Sequence, residues 1–214
     1  RPFGEMRGGS RIFEDPGRVV GVRDYQPGDP MKRIDWYATA RVGRLQSRRY
    51  EPSREQSVVI ALNIPTFEQT WQGSDPVLLE RGVAVAASIA RWAAETGCAL
   101  GLVANGSFAD ADRTIRIGAG RAPDRLGRVL EALAMITAFT TSSMAADLEN
   151  PAYPLPAGAT IVVVAAVLPD DLAATLERLR ERGHAVTIVQ TSRAPWARHV
   201  AGVPVISVAA AMEA

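Results

Sequence analysis

Residues 58–64 read VVIALNI, a run in which Asn63 is the sole polar residue. A strand with one face in water alternates apolar and polar residues. This run does not, so both of its faces must be covered. Thr160–Leu168, TIVVVAAVL, reads the same way and is the natural centre of a sheet, and Ala99–Ala104 and Ala185–Gln190 are further strands. Helical signals lie between them. Asp75-Pro76 supplies a capping side chain and a residue already fixed at helical φ, and Gly97 supplies a stop, so a helix runs to about Thr96. Its middle, VAVAASIARWAA at 83–94, is interrupted only by Ser88 and Arg91, which predicts an unusually buried helix. Pro123 opens a second helix with Leu126, Val129, Leu130, Leu133 and Ile136 on one stripe. Pro169–Arg182 is a third, with Asp170 and Asp171 in its first turn and Gly183 past its end. Arg113–Ile117 alternates and reads as an exposed or edge strand, Pro151, Pro154 and Pro156 mark a loop, and Val203–Val208 is a last strand. Continuous apolar strands alternating with helices predict a three-layer, doubly wound α/β domain with a mostly parallel sheet over residues 57–214.

At 214 residues and 47% hydrophobic, the chain can bury the core of one large domain, or of one domain plus an arm. A net charge of +1 argues against a strong overall field directed at nucleic acid or an anionic membrane. The distribution is uneven, with twelve basic against eight acidic residues in positions 1–56. Cys98 stands alone, which excludes an internal disulfide and a thiolate metal cluster. No apolar run approaches the ~18–20 residues of a membrane helix. The chain begins at Arg1 and shows no signal peptide, so it reads as a soluble part of a longer protein.

In a doubly wound sheet, ligands sit beyond the C-terminal ends of the strands. Those ends read Asn63-Ile64-Pro65-Thr66-Phe67, Asn105-Gly106-Ser107 and Val167-Leu168-Pro169-Asp170-Asp171. A divalent-metal site wants a carboxylate on the first of these, and it carries an amide and a proline. GAGRAP, 118–123, follows a strand and precedes a helix, but Pro123 stands at the third glycine position, so the segment reads as a turn. His184 and His199 lack partners at ligand spacing, and Ser107 is not in a nucleophile elbow. The expectation is therefore no catalytic residue, no metal and no cofactor; a hydrolase or phosphotransferase with an unrecognised site is the alternative. Phe67 and Trp71, in the first strand-end loop, either anchor a protein partner or fold back onto Val77 and Leu78.

The N-terminal segment is of another kind. After a loose, Gly- and Arg-rich lead-in at 1–20, residues 23–41 read RDYQPGDPMKRIDWYATAR. Asp29-Pro30 predicts a helix start, Gly43 a stop, and RLQSRRYE (44–51) a strand pairing antiparallel with the first core strand. Three readings stand open for residues 1–56. One is a helix-plus-strand clamp over an end of the sheet, with Trp36 and Tyr25 as its buried anchor and Arg23, Asp24, Asp29, Arg33, Asp35 and Arg41 salt-linked. The second is a protein-binding surface. The third is a nucleic-acid contact within 41–54, through Arg41, Arg44, Arg48, Arg49 and Arg54 beside Tyr50, which a strand would split between two faces.

The pattern R-x-Y-x-x-G-D, then I-D-W, A-R and G-x-L falls on Arg23, Tyr25, Gly28, Asp29, Ile34, Asp35, Trp36, Ala40, Arg41, Gly43 and Leu45. It resembles the signature of the bacterial domain-of-unknown-function family number fifty-eight, and the likeness extends over about residues 10–210. The resemblance implies a von Willebrand factor A-like fold and a non-enzymatic, protein-binding adaptor. It implies a MoxR-type AAA ATPase as protein partner in the assembly or maturation of other proteins. It also implies a preceding pair of membrane helices, so that this part lies at the cytoplasmic face with no membrane insertion of its own and no nucleic acid. Tyr37 departs from the Lys or Arg that members often carry. Von Willebrand A domains place Asp-x-Ser-x-Ser after the first strand to hold a divalent ion. Asn63, Pro65 and Phe67 stand there in this chain, with Ala165 and Ala166 at the end of the central strand, so the resemblance implies a retained fold with a degenerate metal site.

Overall fold

The computed structural model describes residues 13–26, 31, 34–53, 56–108, 114–193, 196 and 200–208. The chain divides into two compact units, the first ending at Glu55 and the second beginning at Gln56.

The first unit contains β1 (Phe13–Asp24), α1 (Trp36–Val42) and β2 (Gln46–Ser53). β1 and β2 form a two-stranded antiparallel ribbon, from Phe13 opposite Ser53 to Asp24 opposite Gln46, with shifts of register between Glu14 and Val19 and between Val19 and Gly21. Two expectations are corrected here. The stretch read as a loose lead-in is a strand from Phe13 onward, because its order comes from pairing with β2 rather than from side-chain periodicity. β2 does not pair with the first core strand, whose two hydrogen-bonding edges are already taken by other strands. The helix also starts later than Pro30. Its cap is Asp35, whose Oδ1 accepts the Ala38 N–H at 2.9 Å. Asp29 and Pro30 lie outside the described residues. Gly43 closes the helix in the left-handed region (φ 74°), where a side chain would be strained, and its N–H donates to Thr39 O at 2.8 Å.

The second unit runs β3 (Ser57–Asn63), a 3-10 turn at Thr70–Gln72, α2 (Pro76–Glu95), β4 (Ala99–Ala104), β5 (Gly106–Phe108) and β6 (Ile115–Gly120). It continues with α3 (Arg125–Ala134), β7 (Ile136–Thr140), α4 (Met144–Leu148), β8 (Thr160–Ala165), α5 (Asp170–Glu181), β9 (Ala185–Gln190) and β10 (Val205–Ser207). Six strands lie in the order β10-β9-β8-β3-β4-β6, all neighbours parallel except β6, which is an antiparallel edge against β4. β3 explains the layering. Val58, Ile60 and Leu62 enter a core with Ala86, Ala90, Val129 and Leu133 of α2 and α3. Val59 and Ala61 enter a second core with Met144, Leu148, Leu172 and Leu176 of α4 and α5. Successive side chains of one strand thus fill opposite layers, which is why the run is apolar throughout and why all seven residues of β3 are buried. The three-layer, mostly parallel α/β architecture is the one expected.

Four details differ from expectation. The helix stripe ending at Ile136 stops at Ala134, and Ile136 opens β7. Neither β7 nor α4 is legible as a periodic run. The glycines of GAGRAP lie in β6 rather than in a turn. α2 buries one narrow stripe, Gly82, Ala86, Ala90 and Ala93, whose small side chains let the helix lie close on the sheet, while Val77 and Trp92 are exposed. Its other flank borders an open apolar groove of about 970 Å³ shared with Val189, Ile206 and Val208.

Candidate functional site

The order of the core strands reverses at β3, which has the next strand in sequence, β4, on one side and β8 on the other. The crevice beyond the carboxyl ends of such neighbours is where doubly wound sheets bind ligands. Two buried amides fill it. Asn105, at the end of β4, accepts the Ile64 N–H on Oδ1 at 2.8 Å and donates through Nδ2 to Asn63 Oδ1 at 3.0 Å and to Ser142 O at 3.2 Å. Asn63, at the end of β3, donates through Nδ2 to Val167 O at 3.3 Å. The pair therefore stitches together the ends of β3, β4 and β8. The chain must pass close beside it: a Cβ on Gly106 would lie 2.9 Å from both Ile64 and Ile136, so glycine alone fits where β5 meets β7.

The network continues through hydroxyls. Thr114 Oγ1 lies 2.8 Å from Ser142 Oγ and donates to Asp147 Oδ1 at 3.0 Å, and Ser142 Oγ donates to Asp147 Oδ2 at 2.6 Å. Asp147 is buried and carries both of these bonds on its carboxylate. Half-buried Arg116 donates to the carbonyls of Asp147 and Tyr153 and lies 5.3 Å over the Tyr153 ring. Burial pulls its guanidinium below the ordinary arginine value, against the attraction of Asp147. A cavity of about 910 Å³ opens beside it, lined in part by Arg128, Glu131 and Asn150.

These residues do not fit a divalent ion. Such an ion takes about six oxygens. Here the Asn63 oxygen is already an acceptor for Asn105, the Asn105 oxygen for Ile64, and Pro65 and Phe67 offer no side-chain oxygen. Among the described residues, no three His, Cys, Asp or Glu side chains converge. Asp75, at the far end of the same loop, is used as the α2 cap, accepting from Val77 N at 2.8 Å and Leu78 N at 3.2 Å, while its own N–H donates to buried Thr66 Oγ1 at 2.8 Å. Between these polar anchors the loop turns outward. Phe67 is 37% exposed and Trp71 80% exposed, so Trp71 does not fold back as local core.

The signature residues gather elsewhere, in the first unit. Ile34 is buried and bridges to Ser47. Tyr25, half-buried, donates its N–H to Leu45 O at 2.9 Å, and Arg23 donates to Asp24 O at 3.1 Å. Asp35 receives the Ala38 N–H and Arg48 Nε at 3.1 Å, and the amide bond first, then the arginine, hold its carboxyl below the ordinary value. Gly28 and Asp29 lie outside the described residues. Trp36 is not a buried anchor: it is 63% exposed, because α1 buries none of its residues. Arg41 is exposed in the last helical turn. The arginine-rich stretch is partly neutralised, with Arg44 3.8 Å from Asp24 and Arg48 bound to Asp35. The side chains of Arg49, Tyr50 and Arg54 lie outside the described residues.

Sequence reading picks out Asn63 and Asn105 as strand-end residues but not their bond to each other, and it misses Thr114, Ser142 and Asp147. The local signal that points to the last two is Ser143, which caps α4 through Ala146 N at 3.1 Å and so fixes the residues on either side of it.

The Uncharacterized protein YeaD of Bacillus subtilis (strain 168) is 30% identical over 102 residues, which are 47% of this chain and 23% of that protein. The chain thus spans less than a quarter of this curated relative. Among solved structures, the SpRpn10 VWA domain aligns at a TM-score of 0.43 and 12% identity over 72% of this chain and 87% of its own. Proximal thread matrix protein 1 from the mussel byssus aligns at 0.44 and 8% identity, over 63% of this chain and 38% of that one. A family model described as "Protein of unknown function DUF58" matches residues 21–194, most of both units, and the chain belongs to that family.

Proposed function

We propose that this chain is a non-enzymatic protein-binding adaptor domain whose second unit docks a partner at the strand-end loop carrying Phe67 and Trp71. The observation that carries the reading is the contrast at the switch point. The polar atoms there are spent on one another, while the loop leaving β3 holds a large ring almost wholly in solvent. An active site needs groups free to act on a substrate. A docking site needs an exposed aromatic anchor on a rigid base, and a few such residues carry most of the energy of an interface. The base here is rigid because Thr66 and Asp75 pin the far end of the loop to the start of α2.

The resemblance supports a MoxR-type AAA ATPase as the partner and a role in the assembly or maturation of other proteins at the cytoplasmic face of a membrane. None of the described helices is long and apolar enough to cross a bilayer, so membrane attachment, on this reading, comes from another part of the protein. The test is a pull-down of the genomically adjacent ATPase by the parent and by a Phe67→Ala, Trp71→Ala double variant. The double variant, still folded by its melting curve, is expected to lose capture. Equal capture by both excludes this loop as the docking site.

A further inference from the structure

A two-turn helix does not hold itself together in water. α1 is such a helix and buries none of its own residues, so its order comes from its ends. Asp35 caps the start and is itself tied to Arg48. Gly43 closes the end, and Gln46 fastens the strand that follows, its N–H donating to Thr39 Oγ1 at 3.0 Å and its Nε2 to Asp24 Oδ1 at 2.6 Å. The result is a pinned pedestal that carries Trp36 (63% exposed) and Tyr37 (79% exposed) outward. Met31, Val42 and Leu45 of the same unit are exposed as well. Packing of the rings against the protein does not account for this construction. Tryptophan and tyrosine held in water on a pinned element are the residue types that anchor interfaces.

We propose that α1, in the first unit, is a docking face for an acidic, apolar segment of a partner protein. The rings take the apolar anchor, and Arg41 takes a carboxylate. Arg41 lies four residues after Tyr37, on the same side of the helix. Arg44 and Arg48 are shared with Asp24 and Asp35, whereas no described residue pairs with Arg41. The charge of the segment favours the same occupant, with twelve basic against eight acidic residues in positions 1–56. The arrangement favours a peptide over a nucleic acid, because Asp24 and Asp35 partly neutralise Arg44 and Arg48, the cations a phosphate backbone would need. It favours a peptide over a bilayer, because Trp36 and Tyr37 are adjacent and project about 100° apart, not as one immersible face.

A random peptide library displayed on phage and panned against the whole chain tests this. The expected clones combine Asp or Glu with Leu, Phe or Trp. A synthetic peptide from the leading clone, titrated by fluorescence anisotropy, should bind a Trp36→Ala, Tyr37→Ala variant at least about tenfold more weakly, a loss of about 1.4 kcal/mol. It should also weaken with Arg41→Glu and bind the Phe67→Ala, Trp71→Ala variant like the parent. Clones without acidic enrichment, or equal binding by the Trp36, Tyr37 variant, overturn the proposal. So does a single-stranded DNA oligonucleotide or a phosphatidylserine vesicle that binds the parent more tightly than the peptide and loses binding with the two rings. Arg41→Glu removes no buried group, so it stays informative if the double variant unfolds.

Discussion

The two units are held together by different forces. In the second unit, β3 is buried on both sides, and Ile60 and Leu62 have essentially no surface left in water. Apolar burial at roughly 25 cal/mol per Å² dominates there. In the first unit α1 buries none of its residues, and what fixes it is a set of directed bonds: Asp35 to Ala38, Arg48 to Asp35, Gln46 to Asp24 and Gly43 to Thr39. Each such bond exchanges a bond to water for one within the chain, so its net contribution is modest. The lesson is that the large apolar side chains of β3 and those of α1 mean opposite things. Those of β3 are the reason for the fold. Those of α1 are mounted on it.

The comparison can be broken most sharply in the core. Ile60→Ala should cost about 2–5 kcal/mol, read as a lowered denaturant midpoint. A shift well below that range would mean that the sheet centre is loosely packed. Asn105→Ala should cost about 1–3 kcal/mol, because it strands the buried Ile64 N–H and the Asn63 oxygen without partners. If instead the variant is as stable as the parent, the amide pair is dispensable and the strand ends are held by packing alone.

The first unit should respond to pH rather than to core volume. The Asp35 carboxyl is lowered in the folded state from the ordinary 3.8, so its contribution is fully present above that value and is lost as pH falls below it, through the folded value. The Ala38 amide resonance should therefore titrate with a midpoint below 3.8, and Asp35→Ala should abolish the titration. A midpoint at or above the ordinary value would show that the cap is not formed. The smallest effect should come from the largest side chain of α1. Trp36→Ala should change stability by no more than about 0.5 kcal/mol, as for other exposed positions, measured by denaturant unfolding. A loss of several kcal/mol would return Trp36 to the role of a buried anchor.

Much of the second unit is legible in its residues alone, and for a physical reason. β4 and β9 begin and end where the sequence places them. α2 starts at Pro76 behind its Asp75 cap, and Gly97 and Gly183 take the left-handed φ that stops a helix. These signals are local: an apolar run, a capping oxygen, a residue without a side chain. β7 and α4 escape such a reading because five residues are too few to display a period. The strand at Phe13 escapes it because ribbon pairing is written in backbone bonds to a strand more than twenty residues away.

The sequence by itself determined the layers, the mostly parallel sheet, and the amide and proline that follow β3, since these follow from which residue types occur at which spacing. Tertiary structure alone decided three things. It set which stripe of an apolar helix is covered, and small residues won because they allow the closest approach to the sheet. It brought Asn63 and Asn105, 42 positions apart, into one hydrogen bond, because parallel strands align their ends only through a crossover. It left Trp36 in solvent, because an aromatic ring has the same composition buried or exposed, and only the surfaces around it decide which.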